Sequence, residues 1–496
     1  MNVITVLLDS LNFHALQAYQ DTHVQTPNFS RFAERAAIFD NHFISSAPCM
    51  PARRELFTGR QEFLWRGWGH VEPWDRHLAA EAGANGCVTQ MVTDHYHYWE
   101  NKAHGYFEPF HGVEFVRGSE CDMWDTAPVD DEPGWALAIN RARSSRNRNY
   151  DGRGTQYFAN ARNWEIEEEF PVAQVMCRAA DWLEANREHE RFLLWVESFD
   201  PHEPFHVPEP YRSLYTGGID SPDFNPWPPY QEIEETRRFV RNASADELAW
   251  IRAQYEGNVT MVDAWLGRLW NRMDELGLWE DTAVIVTTDH GHDLCFNGLD
   301  NPTIWAKDFP HPESHARIPL MIWHPQHPGQ GRRIQALTNA LDVNATMRDM
   351  LEIDEPEGPH GRSLLPLLSG ESDRHRELLL YGRFGDGVVV SDENWTLTQS
   401  SRSEGPLYWY STTGLNTSPD MTSGHFIPGV ELPQWRVPAQ PRVCPDYLWS
   451  REEFTFTPRN LHAQEAAQVR RMQELLRAGL AECQAPPETL ARLGLG

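Results

Sequence analysis

This sequence lacks most of the features that would tie it to a large partner. Basic residues are scarce: 43 against 72 acidic ones, a formal net charge of −29. A phosphate backbone is repelled by such a surface, which argues against nucleic acid as a partner. No apolar run approaches the length of a bilayer span, so no membrane insertion is expected. The seven cysteines stand apart at 49, 87, 121, 177, 295, 444 and 483, with no CxxC pair. An odd, scattered set does not form a disulfide framework and fits reduced thiols in a cytoplasmic protein. The opening Asn2-Val3-Ile4-Thr5-Val6-Leu7-Leu8 has no basic leader and no small-residue cleavage site, and reads as a strand. No internal repeat or low-complexity tract is visible.

What is present is a large core. The chain has 496 residues, 40% of them hydrophobic, which suggests more than one domain or one large domain with an appendage. Twenty tryptophans fit aromatic core packing first, and an aromatic-lined pocket second. Short apolar runs at Val3–Leu8, Phe192–Val196, Ala283–Thr287 and Ile318–Trp323 read as buried strands. Helical patterns lie between them. One starts at Thr26-Pro27, with Thr26 as cap and proline in the first turn. A longer one starts at Ser244, paired with Glu247 as a capping box, and stops near Gly277. Strands alternating with helices predict an α/β sheet covered on both faces. Ser369–Asp373 reads as a surface turn. Beyond it, Glu377–Tyr381, Gly387–Ser391 and Trp395–Gln399 read as a meander, 401–460 as irregular loops, and 462–482 as a closing helix. This divides the chain into residues 1–370 and a smaller C-terminal part, 371–496.

In such sheets ligands sit beyond the carboxyl ends of the strands. Asp9-Ser10, Phe199-Asp200-Pro201-His202 and Asp289-His290-Gly291-His292 each follow a strand, so three polar clusters are expected on one rim. Asp9, Asp289 and His290 together make a credible set of hard cation ligands. A lone Cys49 is ordinarily a small buried hydrophobe. Here Arg53 and Arg54 follow it, which favours an anionic group close by at the start of a helix.

Cys49-x-Pro51-x-Arg53, followed by Leu56-Phe57-Thr58-Gly59-Arg60, resembles the signature of the formylglycine-dependent sulfatases of the alkaline phosphatase superfamily. Thr26-Pro27-Asn28, Met261-Val262-Asp263 and Gly361-Arg362-Ser363-Leu364-Leu365 are similar to that family as well, and the likeness extends over about 1–400. The resemblance implies an alkaline-phosphatase-like fold: a large mixed, mostly parallel sheet flanked by helices, with a smaller C-terminal α+β part containing an antiparallel sheet. It implies that a formylglycine-generating enzyme oxidises Cys49 to an aldehyde, which hydrates to a diol. One metal-bound hydroxyl attacks the ester and the other expels sulfate, so no separate hydrolysis of a serine-like ester is needed. Asp9, Cys49, Asp289 and His290 are implied as ligands of one divalent ion, calcium or manganese.

The resemblance also assigns Arg53 to the diol, His202 to the leaving group or a sulfate oxygen, His97 to collapse of the intermediate, and Lys307 to the sulfate. His95 stands where many members carry lysine; protonated, it would hold an anionic oxygen of the substrate. Asp9-Ser10 replaces the more usual pair of aspartates and resembles the phosphonate monoester and phosphodiester hydrolases and choline sulfatases of the superfamily. The expected activity is therefore hydrolysis of a small sulfate monoester. The alternatives are a phosphonate monoester or phosphodiester hydrolase, and a non-catalytic binding protein with an unmodified Cys49 thiol. Oligomeric state stays open.

Overall fold

The computed structural model describes residues 1–100, 103–129, 153–220, 224–227, 233–294, 305–307, 311–354, 360–402, 406–412, 423–426, 433–437, 445–452 and 459–496. Among them an eight-stranded sheet forms the centre, in the order Arg333–Ile334, Ala37–Phe39, Leu320–Trp323, Thr282–Thr287, Asn2–Leu8, Phe192–Ser198, Val88–Thr93 and Gly112–Phe115. Leu320–Trp323 runs antiparallel to both neighbours, and the other pairings are parallel. The sheet is thus mixed and mostly parallel, as expected.

Alternation along the strands explains the layers. Ile4, Val6 and Leu8 face a core shared with the helices Pro27–Ala33, Pro171–Ala185 and Ala245–Leu276. Val3 and Leu7 face a second core, shared with Cys49–Thr58, Leu78–Ala84 and Ala340–Met350. Leu194 and Val196 against Leu193 and Trp195 repeat the pattern on the neighbouring strand. A strand buried on both faces reads as a continuous apolar run, which is why these runs were visible in the sequence. No helix among the described residues is long and apolar enough to cross a membrane.

A second sheet, in the order Tyr447–Ser450, Trp395–Ser400, Gly387–Ser391, Leu379–Arg383 and Ser46–Ala47, packs under the helix Ala466–Glu482. It is antiparallel except for its edge strand Ser46–Ala47, which comes from just before Cys49 and pairs parallel to Leu379–Arg383. The stretch read as irregular loops, 401–460, holds strands: Leu407–Tyr410, Ser423–Phe426 and Pro433–Val437 form a small third sheet, and Tyr447–Ser450 joins the second. The remainder of that stretch includes 403–405, 413–422, 427–432, 438–444 and 453–458, which lie outside the described residues.

One capping expectation is corrected. Thr26 precedes the helix Pro27–Ala33 but its side chain does not cap it. Its hydroxyl instead accepts from the Gln17 amide at 3.0 Å. The first-turn amides of Asn28 and Phe29 donate to the Asp263 carboxylate at 3.0 and 2.7 Å, across from the long helix. Ser244 does cap that long helix, accepting from the Glu247 amide at 3.0 Å, and Gly277 ends it at φ 68°. Asp263→Ala should therefore lower stability by about 1–3 kcal/mol, the cost of a lost cap with donors left unpaired. A denaturant midpoint shifted down at unchanged slope would show this; an unchanged midpoint would refute it.

Candidate active site

Four neighbouring strands end at one rim. Asp9 follows Asn2–Leu8, Asp94 follows Val88–Thr93, Phe199 follows Phe192–Ser198, and Thr288 follows Thr282–Thr287. Backbone amides lock the turns together. Phe199 N donates to Asp94 at 2.6 Å, Ser10 N to Asp289 at 3.1 Å, and Leu11 N to Thr288 Oγ1 at 3.1 Å. Ser10 adopts φ 65°, a conformation that costs a non-glycine residue energy and marks a constrained turn. Its hydroxyl donates to Asp9 Oδ1 at 2.7 Å. Ser10 therefore fixes a carboxylate, where a second aspartate would add another anion.

The helix Cys49–Thr58 begins at Cys49 itself and carries Arg53 one turn on, so both face the rim. Cys49 Sγ lies 3.2 Å from His290 Nε2 and 3.7 Å from Lys307 Nζ. Donor atoms of Asp9, Cys49, Asp289 and His290 all lie within 4.8 Å of one another, and all four residues are buried. His290 Nδ1 lies 2.9 Å from the Gly291 carbonyl, which accepts its proton and leaves the Nε2 lone pair facing Cys49. Burial holds the ring well below the ordinary imidazole range, hence neutral. Two carboxylates, a neutral imidazole and a side chain at position 49 at this spacing fit one divalent cation.

Arg53 is wholly buried and spends its guanidinium on protein groups. Nε donates to Glu197 at 2.6 Å, Nη1 to Asp289 Oδ2 at 2.5 Å and to the Cys49 carbonyl at 3.1 Å, and Nη2 to Asp9 Oδ2 at 2.9 Å. Burial alone would raise the Asp9 carboxyl, but Arg53, His202 and Lys307 hold it well below the usual carboxylate range. Arg54, expected beside an anion, finds protein carboxylates instead: Asp75 at 2.6 Å and Glu62. Lys307 is buried; burial would lower its ammonium, yet the carboxylates Glu203, Asp9 and Asp289 keep it charged. Burial, followed by Asp9, pushes the Cys49 thiol well above its ordinary value.

His202 is buried, with Nδ1 2.6 Å from the Glu203 carbonyl and its ring 4.1 Å from that of Phe199. Glu203 also meets His292 Nε2 at 3.2 Å. His95 and His97 divide differently from expectation. His95 Nδ1 lies 3.9 Å from Asp9, and burial, with Arg53 and His97 beside it, pulls the ring well below the ordinary imidazole range, away from the cation expected to replace lysine. Lys307 is the cation at Cys49. His97 turns to Glu100 at 3.0 Å and Glu120 at 3.4 Å. Burial pulls its imidazolium down, but the two glutamates overcome this and raise it to about 9. Glu197, Glu203 and His292 are the site residues that sequence reasoning missed. For Glu197 the available signal was a charged residue directly after the apolar run Phe192–Val196, and Glu203 and His292 stood beside or within the polar clusters that follow the strands.

Residues 1–353 match the profile of the Sulfatase family, most of the chain. The chain belongs to the sulfatase family. This sulfatase is therefore a sulfuric ester hydrolase. It is 23% identical to the arylsulfatase of Clostridium perfringens over 434 residues, 81% of this chain and 86% of that protein. It is 26% identical to the multifunctional alkaline phosphatase superfamily protein PehA of Trinickia caryophylli over 442 residues, 81% of this chain and 84% of the other. Its fold is similar to that of the phosphonate monoester hydrolase of Agrobacterium radiobacter, with TM-score 0.66 and 19% identity, covering 99% of this sulfatase and 97% of that chain.

Two outcomes are expected. His290→Ala should leave the purified protein with substoichiometric metal by elemental analysis; an unchanged metal ratio would remove His290 from the ligand set. His97 has a folded value of about 9, above that of a free imidazole. Its ion pairs thus stabilise the fold fully below pH ~6.5 and lose that effect as pH rises through about 9. His97→Gln should flatten the decline in thermal midpoint across that window, and a decline as steep as in the parent would contradict the pairing.

Proposed function

We propose that this sulfatase hydrolyses a small organic sulfate monoester with formylglycine, made from Cys49 by a formylglycine-generating enzyme, as the source of its nucleophile. The observation that carries this reading is the convergence of Cys49, Asp9, Asp289 and His290 within 4.8 Å. The thiol itself suits the task poorly. Its proton is held tightly by burial, and a protonated thiol is a weak nucleophile. A hydrated aldehyde at the same position supplies oxygen nucleophiles. Asp9, Asp289, His290 and residue 49 would hold a divalent ion, calcium or manganese, which would supply Lewis-acid charge to the ester anion.

The chain's own residues provide the rest. Lys307 Nζ, 3.7 Å from Cys49 Sγ, holds an anionic oxygen where negative charge builds up. Arg53 keeps both aspartates aimed at the centre and steadies residue 49 through its carbonyl. His202, whose Nδ1–H donates to the Glu203 carbonyl, would as the imidazolium pass its Nε2 proton to the departing alcohol oxygen. Neutral His95, near Asp9, acts as a hydrogen-bonding group toward a substrate oxygen. His97, ion-paired with Glu100 and Glu120, acts through the position of the turn that carries His95.

A second reading, hydrolysis of phosphonate monoesters or phosphodiesters, is favoured by Ser10, whose hydroxyl occupies Asp9 Oδ1 where the usual pair of aspartates would add a carboxylate. Relative rates on an aryl sulfate and an aryl phosphonate monoester separate the two readings. Mass spectrometry of the Cys49 peptide from the native host should find the aldehyde; an unmodified thiol would sink the formylglycine mechanism. Cys49→Ala should fold normally and lose turnover by roughly a thousand-fold or more, as for other covalent nucleophiles.

A further inference from the structure

Glu197 is a fully buried carboxylate inside a strand that is otherwise apolar up to Ser198. Each of its oxygens is spoken for. Oε1 accepts from Arg53 Nε at 2.6 Å; Oε2 accepts from the Tyr98 hydroxyl at 2.8 Å and from Trp195 Nε1 at 3.0 Å. Burial pushes its carboxyl up, while the Arg53 guanidinium and the Trp195 and Tyr98 donors favour the carboxylate. Its partner Arg53 donates on its other side to Asp289 Oδ2 and Asp9 Oδ2. One guanidinium is thus shared by three carboxylates, two of which belong to the candidate cation site.

Asp289 Oδ2 is the contested atom. It lies 2.5 Å from Arg53 Nη1 and 3.3 Å from His290 Nε2, so it faces both the guanidinium and the cation centre. An arginine without a counter-charge behind it would draw electron density and position from the two aspartates, in competition with a cation. Glu197 supplies that counter-charge from the far side. With it, these three carboxylates and one guanidinium carry two net negative charges, partly offset by Lys307 at 3.9 Å from Asp9; without it, one remains.

We propose that Glu197 is a positioning residue for the cation site, acting through Arg53 to keep Asp9 and Asp289 available to a divalent ion. This rests on the cation reading given under the proposed function. The test is direct titration of chelator-treated protein with Mn²⁺ alone. Glu197→Gln should raise the Mn²⁺ dissociation constant by about 10–100-fold, the usual effect of removing a partner that orients metal ligands. The double variant Glu197→Gln with Arg53→Met removes both charges and should recover most of that loss, a coupling that independent sites do not show. A folded Glu197→Gln within about two-fold of the parent, or a double variant no tighter than the single, would overturn the proposal. Should the single variant fail to fold, the double variant decides alone: affinity near the parent's supports the counter-charge role, and affinity reduced about 10-fold or more rejects it. A parent protein that binds neither Mn²⁺ nor Ca²⁺ overturns the cation reading, and the role of Glu197 with it.

Discussion

A single buried guanidinium holds the centre of this molecule together. Arg53 ties the helix that carries Cys49 to the ends of three strands, through Asp9, Glu197 and Asp289. Carboxylates removed from water at this density are costly, and cations of good geometry must offset them. Arginine suits the position because its planar fork presents donors in several directions at once, which a lysine ammonium on a flexible stem does not. The arrangement also sets a direction: charge converges on the space between Cys49 and His290, and Lys307 closes it from the other side.

The cation cluster was legible because two independent rules agreed on it. Strand ends of a mostly parallel sheet gather polar residues on one rim, and Asp9, His202 and Asp289 each sat just past an apolar run. Cys49 was legible from its local motif alone. The strands were legible for a related reason: burial on both faces writes a plain apolar run into the sequence.

Other features were written in contacts between distant residues. Glu197 looks like a polar lapse in a strand until Arg53 is seen against it. Thr26 has the residue type of a cap, but the Asp263 carboxylate, 235 positions from Asn28, reaches the same amides and wins them. His95 and His97 are two residues apart and share a ring type, yet opposite surroundings make one neutral and the other cationic. The strands between 407 and 450 carry proline- and tryptophan-rich segments whose pairing depends on neighbours remote in sequence, such as Tyr447–Ser450 on Trp395–Ser400. Composition pointed to loops there because local pattern carries little of that information.

The strand Ser46–Ala47 gives the site a history in time. It is stitched to Leu379–Arg383, far downstream, and Cys49 follows it at 3% exposure. A ribosome releases residue 49 long before it makes the strand that pairs with Ser46–Ala47. The late-made sheet thus fixes the strand that leads into an early-made residue.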